Sequence, residues 1–150
     1  MRESEFSPPP GFTPIDHSRF CATIGPIFER RDSDAADAAE VHRAFRAEER
    51  HTNAGGVVHG GMLSTFADVL LGQAAWQAAR KPLVTVRLVN DFIAPARPGD
   101  WVEGRAWPTR VGRTMVFVAG EVRVAGKVIM TITGNFKPIE RKAKQGSEAE

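Results

Sequence analysis

Two kinds of reactive group share the stretch His51–Gly72, HTNAGGVVHGGMLSTFADVLLG. One is a carboxylate, Asp68, set in the middle of an apolar run; the other is a pair of glycines, Gly60 and Gly61, where that run begins. A carboxylate is rarely enclosed unless something pairs with it or uses it. Amides at a helix start have no partner within the helix and point outward with the positive end of its dipole. The stretch therefore offers a site that can receive developing negative charge and, further along, a base or nucleophile. It can equally be a core helix with a glycine-rich start and an aspartate bonded to nearby backbone.

The spacing favours organisation over scatter. Gly61, Ser64, Thr65, Asp68 and Gly72 follow steps of three and four, which puts them on one stripe of a helix. The rest of the run from Gly60 to about Arg80 is apolar nearly all round, with Met62, Leu63, Phe66, Leu70, Leu71 and Trp76. A helix of that kind is expected to be buried on every side. Other chemistries fit less well. His51 and His59 are separated by seven residues in a glycine loop, a spacing that matches no zinc pattern. No Gly-Lys-Ser/Thr follows the glycines, so they do not make a phosphate loop. Ser64 and Thr65 have no histidine beside them to activate a hydroxyl, and Cys21 reads as a small packed residue.

These groups need a scaffold, and 150 residues are enough for one domain with a real core. Charged residues make up 25% but the net charge is only +2, which gives no case for a nucleic-acid protein. One cysteine excludes an internal disulfide and fits a cytoplasmic setting. The start MRESEFSPPP has no apolar core of a signal peptide. Asp68 and the absence of flanking anchors argue against a membrane span.

Residues 1–17 are proline-rich and read as an irregular lead-in, 18–139 as the folded domain, and 140–150 as a disordered charged tail. Phe20–Phe28 is expected to be a first strand and Val41–Glu48, with Val41, Arg43, Phe45 and Ala47 on one face, a second. Arg80, Lys81 and Pro82 end the long helix. Four strands follow. The first has Val84, Val86, Leu88 and Phe92 on one face, interrupted by Asn90; the others cover 101–107, 115–124 and 128–136, the last two joined at Ala125–Gly126. Short turns between them predict an antiparallel meander joined by one or two early strands. A helix of about 20 residues is roughly 30 Å long, enough to cross such a sheet. The fold class is α+β: an antiparallel sheet of five to six strands wrapped round one long central helix, the hotdog shape. One sheet cannot cover such a helix completely, so at least a homodimer is expected, extending to a dimer of dimers.

HTNAGGVVHGGMLSTFAD closely resembles the signature of the hotdog acyl-CoA thioesterases of the phenylacetate-pathway and thioesterase-superfamily-member type, and VTVRLVNDFIAPARPGD resembles the strand that follows their helix. The likeness runs from about residue 40 to 139. It implies hydrolysis of acyl-CoA to free acid and coenzyme A, with no cofactor and no metal. By the same resemblance Gly60 polarises the thioester carbonyl, Asp68 is nucleophile or general base, Asn53 holds the water or the carbonyl, and Thr85 assists the water. His59, Gly61, Ser64 and Thr65 fall to substrate binding, His59 also fixing the loop. Arg80, Lys81, Arg110 and Arg113 are the candidate cations for the coenzyme A phosphates, with an ordinary surface charge as the alternative for each, and Arg80, Arg110 and Arg113 are taken forward. Thioester hydrolysis needs an oxyanion donor and a group that activates water, and one preorganised donor is worth about 3 kcal/mol of barrier. Two other readings use the same fold: a non-catalytic acyl-CoA-binding module, which has no need of Asp68, and a hydratase or dehydratase, which pairs a histidine with an acid near the helix. Gly60 and Asp68 stand eight residues apart, about 12 Å along one helix, so a shared site must draw them from two chains.

Overall fold

The structure is a computed structural model that describes residues 6–16, 18–31 and 40–140. Its elements in chain order are β1 (Phe12–Pro14), α1 (Arg19–Ile24), β2 (Ile27–Arg30), β3 (Val41–Arg46), a 3-10 turn (Glu49–His51), α2 (Gly60–Ala79), β4 (Leu83–Phe92), β5 (Trp101–Val111), β6 (Val116–Val124) and β7 (Lys127–Pro138). The strands form one antiparallel sheet of seven in the order β1-β2-β3-β5-β6-β7-β4. Helix α2 lies across one face of it, as the hotdog expectation required.

The core forms between α2 and that face. Leu63, Phe66, Ala67, Leu70, Leu71, Ala74 and Ala75 of the helix are buried, against Phe45, Val102, Val116, Val118, Val122, Met130 and Ile132 of the sheet. Phe45 and Phe66 meet edge-on at 4.9 Å. Close approach depends on Gly104 in β5, where an added Cβ would fall 2.5 Å from a Leu70 methyl and 3.0 Å from the Phe66 ring. One charged pair enters the same layer. Arg43, almost fully buried, donates to Glu29 from Nε and Nη2 at 3.1 and 3.0 Å, and from Nη1 to the Val69 carbonyl of α2 at 3.1 Å. It ties β2 and β3 to the middle of the helix.

Several sequence expectations need correction. The stretch expected as a strand at Phe20–Phe28 holds α1 and only then β2, because Ser18 caps a helix start, its Oγ accepting from the Cys21 amide at 3.1 Å, and Gly25–Pro26 ends it. The sheet has seven strands, not five or six, since β1 forms inside the proline-rich lead-in. The late strands are not a simple meander: β5, β6 and β7 are, but β4 crosses over to pair with β7 at the sheet's end. Nor is α2 covered on every side, for Trp76 is 44% exposed. The acidic stretch 32–39 and the tail 141–150 lie outside the described residues. Among the described residues no helix is long and apolar enough to cross a membrane.

Strand β4 departs from plain alternation. Thr85 pairs with Phe136 and Arg87 with Asn135, leaving Val86 as an extra residue in a bulge. Before the bulge Leu83 and Thr85 face the helix; after it Leu88, Asn90 and Phe92 do. Val84 and Val86, expected on the inner face, are therefore turned outward, 44% and 54% exposed.

Candidate active site

The helix and β4 run alongside each other in opposite directions, so the candidate residues sort into rungs. At one end the Phe92 ring lies over the start of α2, where a Cβ on Gly60 would meet it at 3.7 Å. In the middle Asn90 Nδ2 donates to Ser64 Oγ at 2.9 Å. Further along Thr85 Oγ1 donates to Asp68 Oδ1 at 2.7 Å. Beyond that pair opens a cavity of about 260 Å³ lined by Asp68, Gly72, Trp76, Leu83, Thr85 and Phe136.

The loop before α2 folds on itself. His59 donates its amide to the His51 carbonyl at 2.8 Å, and Thr52 bridges Val58. Asn53 Oδ1 accepts from the amides of Gly55 at 2.9 Å and Val57 at 3.4 Å, which staples the glycine turn. His51 is buried with both ring nitrogens committed, Nδ1 to the Glu48 amide at 3.0 Å and Nε2 to the Ile24 carbonyl at 2.7 Å. Arg50 also reaches the Thr23 and Gly25 carbonyls, so this loop is bolted to the end of α1. At the helix start His59 Nδ1 accepts from the Gly61 amide at 2.8 Å. That commits the Gly61 amide, whereas the Gly60 amide has no acceptor among the described residues. Of the two glycines, Gly60 keeps the open donor.

Asp68 is half-buried rather than enclosed, and the Thr85 hydroxyl fixes one of its oxygens. Such a hydrogen bond to a carboxylate aims it and leaves the second oxygen for water or substrate. Thr65 Oγ1 donates to the Gly61 carbonyl at 2.9 Å, a bond within the helix itself. Arg80 caps α2 with φ 54° and lays its guanidinium over the Trp76 ring at 5.2 Å, beside the cavity. Arg110 and Arg113 are exposed around the β5–β6 turn. Register places that turn at the Asp68 end, because Val111, Val116, Phe136 and Thr85 follow one row across β5, β6, β7 and β4.

The site residues thus fall into two groups. Asp68 and Thr85 meet towards one end of the α2–β4 seam with Arg80 beside their cavity. Arg110 and Arg113 lie at the same end of the sheet but on the β5–β6 turn, two to three strands from β4. Gly60, Gly61, His59 and Asn53 fall at the other end of the seam, with Ser64 between. Within one chain Gly60 and Asp68 remain two turns of helix apart, about 12 Å. Phe136, Leu83 and Phe92 carry no polar signal in the sequence, and only the crossover of β4 brings them to the seam. Among the described residues no three His, Cys, Asp or Glu side chains come together as metal ligands.

One antiparallel sheet with a single long helix across its face defines the hotdog class of fold. The chain belongs to the thioesterase superfamily, whose sequence profile matches residues 55–130. It is 36% identical over 131 residues to a Pseudomonas aeruginosa protein provisionally named an esterase, covering 85% of this chain and 95% of that one. Human acyl-coenzyme A thioesterase 13 is 31% identical over 98 residues, 63% of this chain and 70% of its own. The TT0310 protein of Thermus thermophilus superposes with a TM-score of 0.73 at 25% identity, covering 83% of this chain and all of that one.

Proposed function

We propose that the protein hydrolyses acyl-CoA thioesters at a site shared by two copies of the chain. The observation that carries this is the Asp68–Thr85 pair at the mouth of the 260 Å³ cavity, two turns of helix from the open Gly60 amide. The acyl group enters the cavity, whose walls Trp76, Leu83 and Phe136 are apolar. The thioester carbonyl oxygen accepts from the Gly60 amide of one chain, where the helix dipole favours the negative charge that develops. Asp68 of the other chain takes a proton from water as the water attacks and passes it to the departing thiolate of coenzyme A. Alternatively it attacks the carbonyl itself, expelling the thiolate and forming an acyl–aspartyl anhydride that water then hydrolyses to the free acid, the water's proton going to the thiolate. Thr85 holds the carboxylate in line. Asn53, next to Gly60 through the stapled loop, positions the carbonyl or the water with its Nδ2, which has no partner among the described residues. Arg80, Arg110 and Arg113 meet the phosphates of coenzyme A. The one cysteine, buried and unpaired, agrees with a reducing cytoplasm.

Two chains are needed because a carboxylate side chain spans only a few ångströms and the reacting carbon must lie about 3 Å from its attacker. Mixing inactive Asn53→Ala and Asp68→Asn proteins by co-expression tests this. Each mixed dimer then holds one doubly damaged and one intact site, so random pairing restores roughly a quarter of all sites. No recovery of free-thiol release in mixed dimers confirmed by native mass spectrometry would refute a shared site.

A further inference from the structure

We infer that Arg43 is a positioning residue for Asp68: its bond to the backbone of α2 at Val69, together with the Thr85 hydroxyl on the opposite flank, fixes the turn of the helix about its axis at the level of the carboxylate. This rests on the reading of Asp68 as base or nucleophile and goes beyond it by naming what holds that residue in line from behind.

The starting point is a charge in an unusual place. Arg43 of β3 and Glu29 of β2 stand opposite each other in register, and both are buried. A buried ion pair is weak evidence of stability, because desolvation of both charges offsets much of their attraction. Two of the guanidinium donors, Nε and Nη2, already serve Glu29 Oε2. Nη1 reaches past the pair to the Val69 carbonyl at 3.1 Å. Val69 stands at the middle of α2, where carbonyls find their partners within the helix, so no orphaned helix end calls for this bond. The second lone pair of the carbonyl takes it. What the bond adds is direction. Apolar contacts set how near the helix lies, but they are non-directional; a planar guanidinium with all three contacts made is not.

The sheet shows why direction matters here. β3 and β4 are separated by β5, β6 and β7, which on a flat sheet puts them roughly 19 Å apart at about 4.8 Å per step. A helix with its side chains is only about 10–12 Å across. Both strands nonetheless bond to adjacent residues of it, Arg43 to Val69 and Thr85 to Asp68 at 2.7 Å. The sheet therefore curls round α2, and the two side chains hold it from opposite flanks at one level. One grips the backbone and the other the carboxylate. A side-chain tip about 5–6 Å from the axis moves by about 1 Å when the helix turns by about 10°. That movement takes the Thr85–Asp68 bond beyond hydrogen-bond range. A misplacement of about 1 Å at a reacting group costs on the order of a hundredfold in rate. Arg43 thus acts on Asp68 through the bond to Thr85.

Arg43→Lys tests this most directly. It keeps a cation beside Glu29, but one nitrogen cannot serve the carboxylate and the helix carbonyl together. On acyl-CoA, kcat should fall about tenfold with KM changed far less. In a Thr85→Ala background the same change should cost little more, because the bond it works through is already gone; independent losses would multiply to about a hundredfold. Glu29→Leu combined with Arg43→Met guards against a folding defect, since apolar residues of similar volume replace buried ion pairs without loss of fold. It should show the same fall in kcat. The amide NMR spectrum supplies a readout without activity: in either variant the Thr85 resonance should shift, although three strands lie between it and Arg43. Full kcat in a folded variant, multiplying losses, or an unmoved Thr85 resonance would each overturn the inference. Should Asp68→Asn keep its kcat, the hydrolytic reading falls by itself, and the Thr85 resonance still decides whether Arg43 holds the helix.

Discussion

At the scale of single residues, Asp68 and Thr85 make a unit whose parts can be separated. Asp68→Asn keeps an oxygen to accept from Thr85 but cannot take a proton or attack. We expect kcat to fall by about a hundredfold or more with KM changed far less, measured by free-thiol release on acyl-CoA. Retention of most of kcat would remove Asp68 from the chemistry. Thr85→Ala leaves the carboxylate charged and loses only its aim, so about a tenfold loss is expected, with Thr85→Ser restoring most of it. Legibility divides at the same place. Asp68 stood out in the sequence because a charge in an apolar helix needs a reason. The orphaned Gly60 amide could not be told from that of Gly61, since the His59 ring decides between them and its orientation is not written in the spacing.

At the scale of elements, the fold depends on how closely α2 can settle on the sheet. Of the described glycines, Gly104 is the one where an added Cβ would fall nearest a helix side chain, and a methyl there would press on Leu70 and Phe66, both fully buried. Gly104→Ala should destabilise the protein by about 1–3 kcal/mol through overpacking. Chemical unfolding should show this as a lowered midpoint with an unchanged slope. The long helix and the three last strands were legible because periodicity persists over many residues, and β5 differed mainly in length. Short elements were not. α1 and β1 run six and three residues, too few for a period to declare itself, and capping by Ser18 decided the first. The position of β4 was also hidden, because strand order depends on which edge completes the cover of the helix and not on the neighbour in sequence.

At the scale of the whole molecule, the Glu29–Arg43 pair links the early strands to the helix that carries Asp68, and it makes stability depend on pH. Burial alone would raise the Glu29 carboxyl, but hydrogen bonds from Arg31 and Arg43 and their charges outweigh it and hold it below its ordinary value of 4.5. A carboxyl depressed in the folded state is protonated more readily when unfolded, so stability rises with pH. Its contribution is complete above the unfolded value and fades as pH falls through the lower folded one. Glu121, bonded by Arg123 and Arg105, is lowered too and acts in the same direction. Glu29→Gln should therefore be less stable than wild type at pH 7 and flatter, not flat, in its acid limb below about pH 4.5. An unchanged acid limb in thermal melts across that range would mean the pair does not carry the linkage.

The bulge at Val86 has a meaning of its own. One surplus residue puts the two halves of β4 in antiphase: odd positions look inward before it and even positions after it. The half that holds Thr85 and the half that holds Asn90 are thus written in different reading frames of the same strand. Were Val86 drawn into the ladder as a regular partner instead of bulging from it, the whole first half would swap at once, withdrawing a hydroxyl from the carboxylate and turning Val84 in towards the helix. The aim of a hydroxyl and the character of a surface are here spelled by the count of residues as much as by their kinds.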